Sequence, residues 1–333
     1  MCSAAKGEPV LEFGLRRAQG PAGAVMASRA AFIGGCEATS NVLAGMAYGI
    51  PVRGTHAHSW VMAFDSEVEA FAAYAEALPN NCVFLVDTYD TLEGVRHAVE
   101  IGRQLRANGH EMAGIRLDSG DLAWLSVEAR RILDSGGFPK AFIAATNDLD
   151  EHLIESLKHQ GAAINVWGIG TKLVTGDGQG ALGGVYKLAA IRDNADQWQP
   201  KIKLSEQAAK VSLPGIRQVR RFTLNGEFCG DIIYNDKKHL PANIEIVHQD
   251  DATRRKTIPD GATHEDLLIS IFRNGQLTTP LPALPEIQAR CHNQLQRLNP
   301  SILRLQNPHA YPAGVESGLA EQKLQMIRQN RTH

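Results

Sequence analysis

Two histidines with hydroxyl neighbours carry the first chemical signal in this chain: Gly54-Thr55-His56-Ala57-His58-Ser59. The segment follows an apolar, punctuated stretch at 48–53 and precedes a helical pattern at 60–78. The first N–H groups of a helix lack internal partners, and the helix dipole favours negative charge there. A histidine at such a junction can meet a phosphate, be phosphorylated, or act as acid or base. The same residues also suit an ordinary Ser or Thr cap with incidental histidines, so the surrounding elements must decide.

Those elements follow a beat of apolar run, polar tip and helix pattern. The run at 82–86 ends at Asp87-Thr88-Tyr89-Asp90, and the run at 112–115 ends at Arg116-Leu117-Asp118-Ser119-Gly120-Asp121. The run at 141–146 ends at Asn147-Asp148, and the run at 162–167 ends at Gly168-Ile169-Gly170-Thr171. Tips at 58, 87, 118, 147 and 168 are separated by 29, 31, 29 and 21 residues, which suits a strand plus a crossover helix. Unbroken apolar runs imply strands covered on both faces, hence a parallel sheet. An open doubly wound sheet and a barrel both fit. No GxGxxG follows a first strand, and polar tips after consecutive strands converge on one mouth in a barrel. The expected fold is therefore α/β: an irregular TIM-like α/β barrel with additional C-terminal strands and helices. Upstream, residues 10–17 read as a strand feeding a basic loop, and 24–32 and 41–48 read as helices around a short strand.

Beyond Gly176 the pattern changes. The glycine-rich loop at 175–184 lacks the Gly-Lys-Ser/Thr of a P-loop. Residues 185–191 read as a strand. Lys210 to Gly215, with Arg217, Arg220 and Arg221, reads either as a phosphate-gripping segment or as a solvated basic hairpin. Residues 222–234 alternate like a hairpin turning at Asn225-Gly226. Residues 240–282 are mixed strand and loop, and 283–300 and 315–330 are helical. This divides the chain into a barrel with the site at 1–200 and a basic, hairpin and helical region at 201–333.

The chain has 333 residues and 44% hydrophobic content, enough for a sizeable core. A net charge of −2 leaves no footprint for nucleic acid or an anionic membrane. No apolar run approaches the roughly 20 residues needed to span a bilayer, and the first residues lack the apolar core of a secretory signal. The five cysteines are odd in number and widely spaced, with no CxxC pair, so a reducing, cytoplasmic setting is expected.

Collected at one mouth, the tips offer His58, Asp87, Arg116, Asp118, Asn147 and the amides at 168–171. Asp87 can fix the tautomer of His58, and the two acids can hold Mg²⁺ through a polyphosphate. This points to phosphoryl or phosphoribosyl transfer, where positioning and charge neutralisation carry most of the catalysis. Spacing alone does not name the substrate.

Phe13-Gly14-Leu15-Arg16-Arg17, Ala38 to Gly45, Gly54 to Ser59, Leu85 to Asp90, Arg116 to Asp121, Lys210 to Gly215 and Asn307 to Tyr311 resemble the nicotinate phosphoribosyltransferase family, in order over nearly the whole chain. The resemblance implies synthesis of nicotinate mononucleotide from nicotinate and phosphoribosyl pyrophosphate. ATP is the co-substrate, its hydrolysis coupled through a phosphohistidine, and Mg²⁺ is the cofactor. It places the phosphohistidine at His58, its paired acid at Asp87, and Asp118 near ribose and pyrophosphate. Phe13 stacks on the pyridine ring, with Arg116 and Ser40 lining the ring pocket; nicotinamide-using relatives carry an acid where Ser40 stands. Asn147, Asp148, Gly168, Gly170 and Thr171 surround the ribose and 5′-phosphate, and Arg16, Lys210 and Ser212 contact anions. By the same resemblance the chain is expected to lack the family's usual N-terminal domain, which leaves stand-alone activity open, and to form a homodimer or to pair with a separate partner supplying that domain. Two alternatives stand beside it: a non-catalytic fragment that binds phosphoribosyl ligands or a partner subunit, and a quinolinate phosphoribosyltransferase.

Overall fold

The structure, a computed structural model, describes residues 1–206, 210–249 and 251–331. The chain forms two compact units, Met1–Leu182 with Ala283–His292, and Gly183–Pro282 with Asn293–His333. The division falls at Leu182, earlier than residue 200, because the first antiparallel pairing already begins beyond it.

The first unit alternates strand and helix as the apolar beat dictates. In order it holds α1 (Cys2–Ala5), β1 (Val10–Glu12), a 3-10 turn (Leu15–Arg17), α2 (Gly20–Ile33), β2 (Ala38–Thr39) and α3 (Val42–Tyr48). It continues with α4 (His58–Val61), α5 (Glu67–Ala77), β3 (Cys82–Leu85), α6 (Thr91–Ala107), β4 (Met112–Leu117) and α7 (Leu122–Ser135). It ends with β5 (Phe142–Ala145), α8 (Glu151–His159), β6 (Val166–Ile169) and α9 (Thr171–Val174). The six strands pair in parallel in the order β2-β1-β6-β5-β4-β3. That order is cyclic: the first strand pairs with the last, as in a barrel, and the ring is open between β2 and β3. The expected barrel is thus a curled arc of six strands. The inward runs are fully covered: Phe84, Leu85, Ile115, Leu117, Ile143, Trp167 and Ile169 are all 0% exposed. Each such side chain contributes about 1.5–3 kcal/mol by leaving water.

Helix starts are set by capping side chains. Asn41, Ser66, Asp90, Asp121 and Asp150 each accept a hydrogen bond from an N–H three residues on, at the starts of α3, α5, α6, α7 and α8. The Ser66 cap breaks the helix expected over 60–78 into the single turn α4 and the separate α5, with residues 62–66 between them.

The second unit contains β7 (Ala190–Arg192), β8 (Trp198–Pro200), β9 (Arg217–Leu224), β10 (Glu227–Asn235), β11 (Glu245–Val247), β12 (Arg255–Thr257), β13 (Thr263–Asp266), β14 (Phe272–Arg273), β15 (Gln276–Leu277), β16 (Ala313–Glu316) and α11 (Ser317–Arg331). Helix α10 (Leu284–Gln296) falls partly in each unit. The strand expected at 185–191 starts only at Ala190, where β8 supplies a partner. The expected hairpin is present as β9 and β10, with Asn225 and Gly226 at φ 52° and 87°, as a two-residue I′ turn requires. Phe222, Ile232, Tyr234, Ile246 and Ile258 form the core beneath it. Arg220 pairs with Asp266 at 2.7 Å and Arg221 with Asp231 at 2.7 Å, so these two arginines brace the sheet instead of gripping phosphate. Among the described residues no helix is long and apolar enough to cross a membrane.

Candidate active site

Parallel strands place all their C-terminal ends on one rim, and the residues that follow them share a cavity of about 440 Å³. Phe13 and Arg16 come from beyond β1, Ser40 from beyond β2, Asp118 from beyond β4, Asn147 and Asp148 from beyond β5, and Gly170 and Thr171 from beyond β6. His58 enters from the start of α4, and Arg116 from within β4.

The two histidines occupy different environments. His56 is 7% exposed, packs edge-on against Tyr74 with ring centroids 4.7 Å apart, and accepts a 3.1 Å hydrogen bond at Nε2 from the Leu85 N–H. Burial lowers its pKa to about 4, and it stands as a neutral structural group. His58 faces the cavity. Its Nδ1 lies 3.1 Å from the Thr88 hydroxyl, and its Nε2 lies 3.8 Å from Asp87 Oδ1 and 3.5 Å from Asp118 Oδ2.

Both acids are held from behind. Asp87, with its side chain 1% exposed, accepts at Oδ2 from the Asp118 N–H at 2.8 Å and the Ser119 hydroxyl at 2.6 Å. Its Oδ1 is buried, has no hydrogen-bond partner among the described residues and lies 3.8 Å from His58 Nε2. Asp118 accepts at Oδ1 from Arg116 at 2.9 Å and from the Thr146 hydroxyl. Burial alone would raise the Asp118 pKa; the Thr146 hydroxyl and the Arg116 guanidinium outweigh it, and the carboxyl is held below its ordinary range. Arg116 also donates to Thr146 at 2.9 Å and to Thr55 at 2.8 Å, so its guanidinium plane is fixed at three points.

The opposite wall is the Phe13 ring. A Cβ at Gly168 would stand 2.9 Å from that ring and 2.6 Å from the Thr146 methyl, so only glycine lets β6 approach. Asn147 and Asp148 adopt positive φ, 94° and 45°, a conformation that ordinary side chains rarely hold and that concentrates at functional sites.

The structure therefore brings together His58, Phe13, Arg16, Ser40, Arg116, Asp118, Asn147, Asp148, Gly168, Gly170 and Thr171 on one cavity, with Asp87 directly behind His58. Lys210 and Ser212 lie in the second unit. Ser212 is buried and its hydroxyl accepts from the Lys203 N–H at 2.8 Å, while the Lys210 carbonyl accepts from Lys187 at 2.6 Å. Four partners escaped sequence reasoning: Thr88, Ser119 and Thr146, which hold His58, Asp87 and Asp118, and Glu12, buried behind Phe13. The three hydroxyls sit beside the tips, which is the one signal that could have found them.

Residues 9–210 match the model of the nicotinate phosphoribosyltransferase family, and residues 216–323 match its C-terminal domain. The chain belongs to this family. A nicotinate phosphoribosyltransferase of Bacillus subtilis is 41% identical over 327 residues, covering 97% of this chain and 66% of its own length. One from Dictyostelium discoideum is 38% identical, covering 94% of this chain and 62% of its own. The crystal structure of human nicotinic acid phosphoribosyltransferase superposes with a TM-score of 0.80 at 28% identity, covering 98% of this chain and 72% of that one. The chain thus spans about two thirds of the length of the curated nicotinate phosphoribosyltransferases it matches.

Proposed function

We propose that this chain carries the catalytic site of a nicotinate phosphoribosyltransferase, joining nicotinate to the ribose of phosphoribosyl pyrophosphate with hydrolysis of ATP through a phosphohistidine at His58. The observation that carries the proposal is the setting of His58, which faces the cavity between a hydroxyl on one ring nitrogen and two carboxylates on the other. The carboxylates hold a proton on Nε2 and leave the Nδ1 lone pair, beside Thr88, as the nucleophile. Attack of Nδ1 on the γ-phosphorus breaks its bond to the bridging oxygen and releases ADP; water later takes the phosphoryl group as inorganic phosphate.

The ring site follows from the wall opposite. Phe13 offers a face for the pyridine ring, and Arg116 offers N–H groups to the nicotinate carboxylate, with Ser40 as a neutral neighbour. The ring nitrogen forms a bond to ribose C1, and the C1–oxygen bond to pyrophosphate breaks. Arg16 and the amides at Gly170 and Thr171 suit the phosphates, and Asn147 and Asp148 suit the ribose hydroxyls.

Asp87 and Asp118 fit Mg²⁺: both are oxygen donors, and Asp87 Oδ1 is a buried atom with no hydrogen-bond partner among the described residues. Among the described residues no cluster of three or more ligands could hold a metal alone, which agrees with an ion carried partly by substrate oxygens. Bound there, the ion would neutralise phosphate charge.

Free cysteines agree with a cytoplasmic setting. A homodimer, or a separate partner chain, belongs to the same proposal on the family resemblance. The test is an assay for nicotinate mononucleotide with nicotinate, phosphoribosyl pyrophosphate, Mg²⁺ and ATP. ATP-stimulated product is expected. Product from quinolinate, or binding of phosphoribosyl pyrophosphate with no product from either acid, would overturn the proposal.

A further inference from the structure

Glu12 lies at the end of β1 with 0% exposure. Its Oε1 accepts from the Gly14 N–H, and its Oε2 accepts from the Thr39 hydroxyl at 2.5 Å and the Ser28 hydroxyl at 2.7 Å. The Thr39 oxygen in turn accepts from the Asn41 N–H at 2.9 Å. One carboxylate therefore ties together three segments: the turn after β1, the end of β2 and helix α2. Two of these segments carry cavity residues, Phe13 between Glu12 and Gly14, and Ser40 between Thr39 and Asn41.

We infer that Glu12 is a positioning residue that sets Phe13 and Ser40 at a fixed separation, and so fixes the width of the slot for the flat ring of the substrate. This rests on the proposed function for the identity of the ring, and on the hydrogen-bond network alone for the positioning. Burial of a carboxylate is costly unless it is satisfied, and here strong donors reach both oxygens. Nothing in the β1 pairing requires an acid: a leucine or valine at position 12 would satisfy the sheet. The network anchors this wall to helix α2 through Ser28. The Ser40 N–H donates to the Glu12 carbonyl at 2.9 Å, so backbone and side chain of Glu12 both hold the β2 end, while the Phe13 N–H donates to the Ile169 carbonyl at 2.7 Å.

Glu12→Gln keeps the shape but replaces one acceptor oxygen by an NH₂ donor. Ser28 can turn onto the Ala24 carbonyl, already 3.0 Å away. With the NH₂ toward Gly14, two donors face each other and that tether is lost; with the NH₂ toward Thr39, the hydroxyl must turn to accept it, and the charge-assisted bond is replaced by a weaker neutral one. Thr39→Val leaves the acid in place but removes both the β2 tether and the acceptor of the Asn41 N–H, so in that variant the kinetic reading decides.

The test uses the full chain, with amide hydrogen exchange and steady-state kinetics on wild type, Glu12→Gln and Thr39→Val. Exchange at Gly14 or Asn41 is expected to speed by about tenfold or more while the amides of β4 and α6 stay as in wild type. The KM for nicotinate is expected to rise about tenfold, with kcat and the KM for phosphoribosyl pyrophosphate within about threefold of wild type. Unchanged exchange at both amides overturns the inference. So does faster exchange with an unchanged KM for nicotinate, or a parallel fall in every kinetic constant. If Glu12→Gln fails to fold, Thr39→Val decides by the KM for nicotinate against kcat and the KM for phosphoribosyl pyrophosphate. A wild-type chain without turnover would instead overturn the proposed function, and the exchange comparison would still decide whether Glu12 holds the two segments.

Discussion

His56 and His58 stand two residues apart and do different work. His58 offers its ring to the cavity, whereas His56 holds the Leu85 amide inside an aromatic cage. Replacing His56 with Ala should leave labelling from ATP intact but lower stability by about 1–3 kcal/mol, because the buried Leu85 N–H loses its acceptor; a denaturant titration reads this. The same burial gives a pH signature. Its pKa in the folded protein, about 4, lies below the ordinary 6.5, so the unfolded chain takes up the proton first as pH falls. Stability from this site is complete above 6.5 and is lost between 6.5 and about 4, about 3 kcal/mol in all. His56→Gln should remove that limb from the stability–pH curve. Arg116 is the second residue whose role is sharp. Arg116→Ala should raise the KM for nicotinate about tenfold or more, and by more than the KM for phosphoribosyl pyrophosphate; equal losses would make Arg116 purely structural.

The strand–helix junctions separate site from scaffold by a spacing of three. Asp87 and Asp90 share one tip, and Asp118 and Asp121 share the next. In each pair the first acid faces the His58 cluster and the second caps a helix. Asp121→Ala should cost about 1 kcal/mol of stability and leave labelling from ATP unchanged, whereas Asp87→Ala should abolish labelling; melting and labelling of the two variants check this. Much of this level was legible in the sequence. Unbroken apolar runs announce buried parallel strands, and Asn225-Gly226 announces a turn, because local chemistry alone determines both. The break between α4 and α5 was marked in the sequence only by Asp65-Ser66 with Glu69 three residues beyond Ser66, a capping pattern set between apolar stretches. Thr88, Ser119 and Thr146 were hidden. A hydroxyl beside a tip is common, and only the folded register shows that it meets an imidazole or a carboxylate about thirty residues away. Arg220 and Arg221 read as anion-binding until Asp266 and Asp231 appear opposite them.

At the level of the whole chain, the cyclic strand order explains why residues scattered from 13 to 171 reach one cavity. A ligand that bridges several strand ends should stabilise the folded chain in proportion to its binding. Phosphoribosyl pyrophosphate with Mg²⁺ should therefore raise Tm, by an amount equivalent to about 3 kcal/mol at a hundredfold excess over its Kd. The shift should shrink in Asp118→Ala, which thermal unfolding followed at several ligand concentrations would reveal. The chain spans about two thirds of its relatives' length. The most direct measurement is incubation of the full chain with γ-labelled ATP and Mg²⁺, followed by a test for acid-labile label in wild type, His56→Ala and His58→Ala. Label in wild type and His56→Ala, and none in His58→Ala, is the predicted result. Label that survives in His58→Ala, or none in a folded wild-type chain, would contradict the assignment of His58 as the phosphorylated residue.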